Sequence, residues 1–192
     1  MNNIKIELPF SGFYESIYDS HIDNTIEYYL YALEGEQLEK AQDAFYMMNY
    51  DAIRKAICEH YIKAYEQVFY DNFNIDLNLT FNSLYSPKFY NFETDRLFVN
   101  IDPEIFEQVI QLLDDAAIQK TLSEKYKTQS GYIVFESTIE AIKNKDYKLF
   151  SSDLLELLLP ENDVVNDWQF TDSIHEIISN SFSNEVWEAL QC

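Results

Sequence analysis

Basic residues are scarce in this chain. Thirteen Lys and Arg stand against 34 Asp and Glu in 192 residues, a formal net charge of −21. Over the last 44 residues, Leu149 to Cys192, nine carboxylates meet no lysine or arginine at all. A surface so short of cations is repelled by anionic lipid and has few groups to neutralise phosphates. Membrane attachment and direct nucleic-acid binding are therefore outside the expected roles. Glycine is equally sparse, with Gly12, Gly35 and Gly131 the only three. The sequence has no phosphate-cradling glycine loop, and little scope for close backbone approach to a ligand. Two cysteines, Cys58 and Cys192, give no disulfide framework, and both are expected to be reduced thiols. The longest apolar run, Leu157 to Leu159 with its neighbours, is far too short to cross a bilayer. The opening MNNIKIELPF has no basic region followed by a long apolar stretch. No signal peptide is expected, and the predicted location is the cytoplasm.

Catalytic signals are missing too. His21, His60 and His175 are widely separated, and none belongs to a HExxH pattern. Asp19, His21 and Asp23 alternate as ligands on a strand would, but the apolar period around them is helical, which spreads them. The run Asn72 to Asn78 begins like a calcium loop. Leu77, however, stands where the sharp turn needs glycine, and Ser83 where a bidentate glutamate is required. There is no nucleophile elbow and no Cys–His pair at telling spacing. The sequence predicts no enzyme, no cofactor and no metal.

What is present is aromatic. Fourteen Phe, 15 Tyr and 2 Trp make up 16% of the chain. Acidic chains that stay unfolded lack such groups, so a folded core is expected, at a length usual for one domain. Ile4, Ile6 and Leu8 alternate with Lys5 and Glu7 as a strand. From Tyr14 the period becomes helical, with Tyr18, Ile22, Ile26, Tyr29 and Leu33 on one stripe and Gly35 as its end. Helices are predicted near Leu38 to Met48 and over Tyr50 to Phe69, the latter with Ile53, Ile57, Tyr61, Ala64 and Val68 on one face. Leu77, Leu79 and Phe81, then Leu97, Val99 and Ile101, form the arms of a hairpin with an aromatic connection. Asp102-Pro103-Glu104 starts a helix carried by Ile105, Phe106, Val109, Ile110 and Leu113. Another helix is predicted near Ala116 to Tyr126, while Tyr132 to Phe135 fits a strand or the start of a helix. Helices over Ser151 to Leu159 and Thr171 to Leu190 flank an acidic loop at Pro160 to Asp167. The expected fold is α+β: a small antiparallel sheet of three or four strands packed by helices, with a helical C-terminal part. Residues 1–148 are read as the α+β domain and 149–192 as an acidic helical segment packed on it.

The carboxylates are patterned. Glu15, Asp19, Asp23 and Glu27 recur every four residues, a slowly winding row about 18 Å long on a helix. Like charges at that spacing disfavour the helix by a few tenths of a kcal/mol each, on the order of what lysine would regain. Yet no basic residue occurs between His21 and Glu39. A second run comprises Asp153, Glu156, Glu161, Asp163, Asp167, Asp172 and Glu176, with Glu185 and Glu188 beyond them. Solubility needs a net charge of only roughly 2 to 8 in magnitude, so the excess points to a working surface. B-DNA presents one charge per strand about every 3.4 Å of rise, and carboxylate rows approximate that field less densely. The expected partner is thus a basic nucleic-acid-binding protein. Tyr14, Tyr18, Tyr28, Tyr29 and Tyr31 surround the first row, and some of them must face outward. The rival reading is an acidic interaction or chaperone-like module for a basic partner, with carboxylates scattered evenly.

Two blocks add a resemblance. Leu8-Pro9-Phe10-Ser11-Gly12-Phe13-Tyr14-Glu15-Ser16 and Ser86-Pro87-Lys88-Phe89-Tyr90-Asn91-Phe92-Glu93-Thr94-Asp95-Arg96 cover 20 residues. They resemble segments of small proteins encoded by bacteriophages and mobile elements. The acidity is similar to that of phage anti-restriction and anti-CRISPR proteins. That resemblance implies a DNA-mimicking inhibitor of a restriction or CRISPR-type defence protein, a host nuclease or its complex, met in the cytoplasm of a host cell.

Overall fold

The computed structural model describes residues 3–10, 17–48, 50–81, 97–116, 120 and 154–191. The fold is α+β, with a three-stranded antiparallel sheet and a helical C-terminal part. The chain divides into two compact units, each built from two stretches of sequence: Met1–Phe10 with Ile62–Val164, and Ser11–Tyr61 with Val165–Cys192.

The first unit holds the sheet. Strands β1 (Ile4–Leu8), β2 (Thr80–Phe81) and β3 (Leu97–Ile101) are arranged in the order β1-β3-β2. Ile6 faces Val99 and Leu8 faces Leu97, so the alternation read from sequence puts one apolar face in the core. On the other face Lys5 lies over the Phe98 ring, 4.3 Å from its centroid. The arm expected from Leu77 is cut to two residues because Asn78 adopts a left-handed φ of 47°. The Asp76 carboxylate accepts from the Asn78 N–H at 3.3 Å, a local turn that competes with the ladder. Leu77 and Leu79 are still buried. Helix α4 (Pro103–Gln111) begins as its sequence demands: Asp102 Oδ1 accepts from the Glu104 N–H at 2.8 Å, with proline at the first position. Phe106, Val109 and Leu113 carry it into the core. The helical residues 154–158 and the short helix α5 (Glu161–Val165) follow, the latter where an acidic loop was expected. Its cause is Val164, which is fully buried, with proline just ahead of the helix.

Among its described residues the second unit has helices and connecting turns but no strand. It contains α1 (Ile17–Leu30), α2 (Gly35–Tyr46), the first part of α3 (Tyr50–Phe73), α6 (Trp168–Asn180) and α7 (Asn184–Gln191). Gly35 does not close α1. That helix stops at Leu30, and Gly35, with φ of 59°, opens α2. The sequence predicts one helix over Thr171 to Leu190, but the chain breaks at 181–183 between α6 and α7. Phe182 explains the break, since it is buried against Tyr29, Phe45 and Trp187 at centroid distances of 5.5, 5.0 and 5.7 Å. Along α3 the buried stripe is Ile53, Ile57, Tyr61, Tyr65 and Phe69 rather than one passing through Ala64 and Val68. Steps of four drift about 40° per turn, so this stripe winds around the helix. Cys58 is a buried free thiol.

The expected helix at Ala116 to Tyr126 lies almost entirely outside the described residues, and the Tyr132 to Phe135 segment wholly so. Among the described residues no helix is long and apolar enough to cross a membrane.

Candidate functional site

Acidity is unevenly divided. By sequence, the stretches of the helical unit hold 15 acids and 3 bases, a net charge of −12, against 19 acids and 10 bases, −9, in the longer stretches of the sheet unit. The helical unit is therefore the place to look for a charge-bearing surface.

Each of its helices buries an apolar stripe and turns carboxylates outward. On α1, Ile22 and Thr25 are buried while Asp23 and Glu27 are exposed. On α2, Ala41 and Phe45 are buried while Glu36, Glu39 and Asp43 are exposed. Phe170, Ile174 and Ile178 anchor α6, leaving Asp172 and Glu176 in solvent. Val186 anchors α7 and leaves Glu185 and Glu188 outside. Helix α1 packs on both α6 and α2, and α7 packs on α2.

Two of the unit's cations are occupied locally. Lys40 pairs with Glu36 at 3.0 Å and Lys55 with Glu59 at 3.7 Å, both exposed and one helical turn apart. None of the labelled helices has a basic residue in its last turn. Glu27, Asp43 and Glu188 occupy last turns instead, at the negative end of the helix dipole, where a carboxylate is disfavoured. Helix stability does not account for this arrangement.

The two rows expected from sequence fare differently. In the first, Asp23 and Glu27 are exposed on α1, Asp19 lies on the same helix, and Glu15 is outside the described residues. The second is divided between the units. Asp167, Asp172 and Glu176 belong to the helical unit, while Glu156, Glu161 and Asp163 belong to the sheet unit and Asp153 is outside the described residues. Asp167 has a local task as the N-cap of α6, accepting from the Gln169 N–H at 2.9 Å. Glu156 accepts from the Glu161 N–H at 3.4 Å, closing the start of α5. The packing of α1 on α6 thus places Asp23 and Glu27 in one unit with Asp172 and Glu176. Glu36, Glu39, Asp43, Glu185 and Glu188 join them. Glu185 and Glu188 close the C-terminal run read from sequence, whereas Glu36, Glu39 and Asp43 belong to neither row, and it is the packing of α2 on α1 and α7 that brings them in.

The structure also gathers groups that seemed unrelated. His21 on α1 and His175 on α6 meet edge to face, ring centroids 5.7 Å apart. The buried Thr25 hydroxyl donates to the His21 carbonyl at 2.6 Å and lies 2.6 Å from His175 Nδ1. Burial, with His175 second, holds the His21 pKa below its usual value. The first histidine sits mid-helix and the second 154 positions on, so no local pattern announces the contact. His60 stacks on Phe170 at 4.9 Å as a packing group. Among the described residues, no three His, Cys, Asp or Glu side chains converge as a metal-ligand set.

No protein-family model, no curated protein and no solved structure matches the chain. The phage-like block at Ser86 to Arg96 lies outside the described residues, as does the end of the first block from Ser11.

Proposed function

We propose that this protein is a DNA-mimicking inhibitor that binds and blocks a nucleic-acid-binding host defence protein of the restriction or CRISPR type. It acts by stoichiometric binding in the host cytoplasm, without catalysis, cofactor or metal. The observation that carries the reading is the outward carboxylate face of α1, α2, α6 and α7 in a single unit, maintained against local helix energetics.

The mechanism is electrostatic. A groove built to neutralise phosphates presents lysines and arginines to a polyanion, and exposed carboxylates meet the same groups without offering a base to read. Association is steered by long-range attraction and weakens with salt.

Affinity capture on the full chain at ~0.1 M salt, challenged with duplex DNA, tests the reading. Recovery of a nuclease or DNA-binding complex that DNA displaces is the expected result. Capture of a partner indifferent to DNA would instead identify an acidic interaction module, and recovery of no partner would overturn the proposal.

A further inference from the structure

Carboxylates alone attract any basic surface and discriminate poorly among them. The end of α1 carries more than charge. Tyr28 is 77% exposed and Tyr31 92%, three residues apart on one helical turn that the Tyr31 N–H to Glu27 carbonyl bond of 2.9 Å extends. Residues at that spacing share a face. Tyr28 is backed by packed rings: it meets Tyr29 edge-on at 5.4 Å, and Tyr29 is held by Phe182 and Trp187 at 5.5 and 5.6 Å. Exposed Glu27 and Glu34 stand on either side of the pair in sequence, Glu27 one turn before Tyr31. The negative end of the α1 dipole lies at this end of the helix, with no basic residue in the last turn.

One cation suits all of these features. A guanidinium stacks on tyrosine faces, forks onto a carboxylate and loses less hydration than an ammonium does. A lysine ammonium is drawn by the charge but gains less from the rings. We propose that Tyr28 and Tyr31, with Glu27 and Glu34, form a docking end for an arginine-bearing segment of the partner's phosphate-binding groove. This rests on the reading of the helical unit as a surface for a basic partner. It adds that recognition favours arginine over lysine and is anchored by tyrosine.

The test uses two fluorescein-labelled peptides, nona-arginine and nona-lysine, titrated with the full chain at ~0.1 M NaCl. Nona-arginine is expected to bind about tenfold more tightly. The Tyr28→Ser/Tyr31→Ser variant should lose that preference while binding nona-lysine as before, and Glu27→Gln/Glu34→Gln should weaken both peptides. Both tyrosines are exposed, so the substitutions leave the core intact. Equal binding of the two peptides, or a preference that survives the tyrosine changes, would overturn the inference and leave the acidic reading standing. Binding of neither peptide would overturn both. Sedimentation velocity on the same proteins addresses a second copy as occupant: a wild-type dimer that the tyrosine variant dissolves would make this a self-association face and defeat the inference.

Discussion

Thr25 shows how much a single buried hydroxyl can organise. Its proton goes to the His21 carbonyl, so its oxygen is left to accept from His175 Nδ1–H, which selects that tautomer. His21 beside it resists protonation because burial first, and His175 second, disfavour its charged form. Above the ordinary value of 6.5 both folded and unfolded chains hold His21 neutral. As pH falls below it the unfolded chain takes up the proton first, and stability is lost until the folded value is passed. The urea midpoint should therefore drop as pH falls below 6.5, and His21→Phe, which keeps a ring against His175, should flatten that drop. An unchanged slope in the variant would assign the drop to another group. Glu66 behaves oppositely. Burial raises its pKa above 4.5 and Asp76 adds to this, against the opposing hydrogen bond from the Leu79 N–H. Its contribution is full below 4.5 and is lost as pH rises through the folded value, so the ionised group weakens the fold at neutral pH. Glu66→Gln keeps an acceptor for Leu79 and removes the charge. It should raise the urea midpoint at about pH 7 and give no gain at about pH 4.

Helix starts and breaks decide the elements. Asp102 caps α4 through the Glu104 N–H, and Asp102→Ala should cost about 1 kcal/mol, or about 2–4 °C in Tm for a chain of this size. Thermal unfolding measures it, and an unchanged Tm would mean the cap contributes nothing. This start was legible because cap, proline and first-turn acid stand consecutively in sequence. Strand β1 and helix α3 were legible through their periods of two and 3.6. The break at 181–183 was not, because nothing local to Ser181, Phe182 and Ser183 forbids a helix. Phe182 leaves the helical path to join rings from α1, α2 and α7, a tertiary gain that periodicity does not record. The shortened β2 was hidden differently: Asp76 and Asn78 signal a local turn, but Leu77, Leu79 and Phe81 alternate as a strand, and the alternation masked the turn. For the site, exposure on α1 followed from the offset of Asp23 and Glu27 from the apolar stripe. The meeting of α1 with α6 did not, since it joins stretches more than a hundred residues apart.

For the molecule as a whole, charge of one sign opposes compactness. The helical unit bears this most, with −12 over its two stretches and two described ion pairs that neutralise only their own neighbours. Repulsion among exposed carboxylates reaches about 8 Å at physiological salt and shortens as salt rises, so Tm should climb with added NaCl. The combined variant Asp23→Asn, Glu27→Gln, Asp172→Asn and Glu176→Gln removes two like-charge pairs one turn apart, on α1 and α6. Each such pair disfavours its helix by about 0.2–0.5 kcal/mol. The variant should melt about 1–4 °C higher at low ionic strength, and its Tm should depend less on NaCl. Retention of a DNA-displaceable partner should fall in the same variant, and fall furthest at low salt. These two readouts separate structure from function, because a general solvated surface would gain stability on neutralisation without losing any partner. A variant that is more stable yet captures its partner undiminished would remove these four carboxylates from the contact, leaving α2 and α7 to supply it. A variant that gains stability and loses the partner would show that the acids are kept for binding at the expense of the fold that carries them.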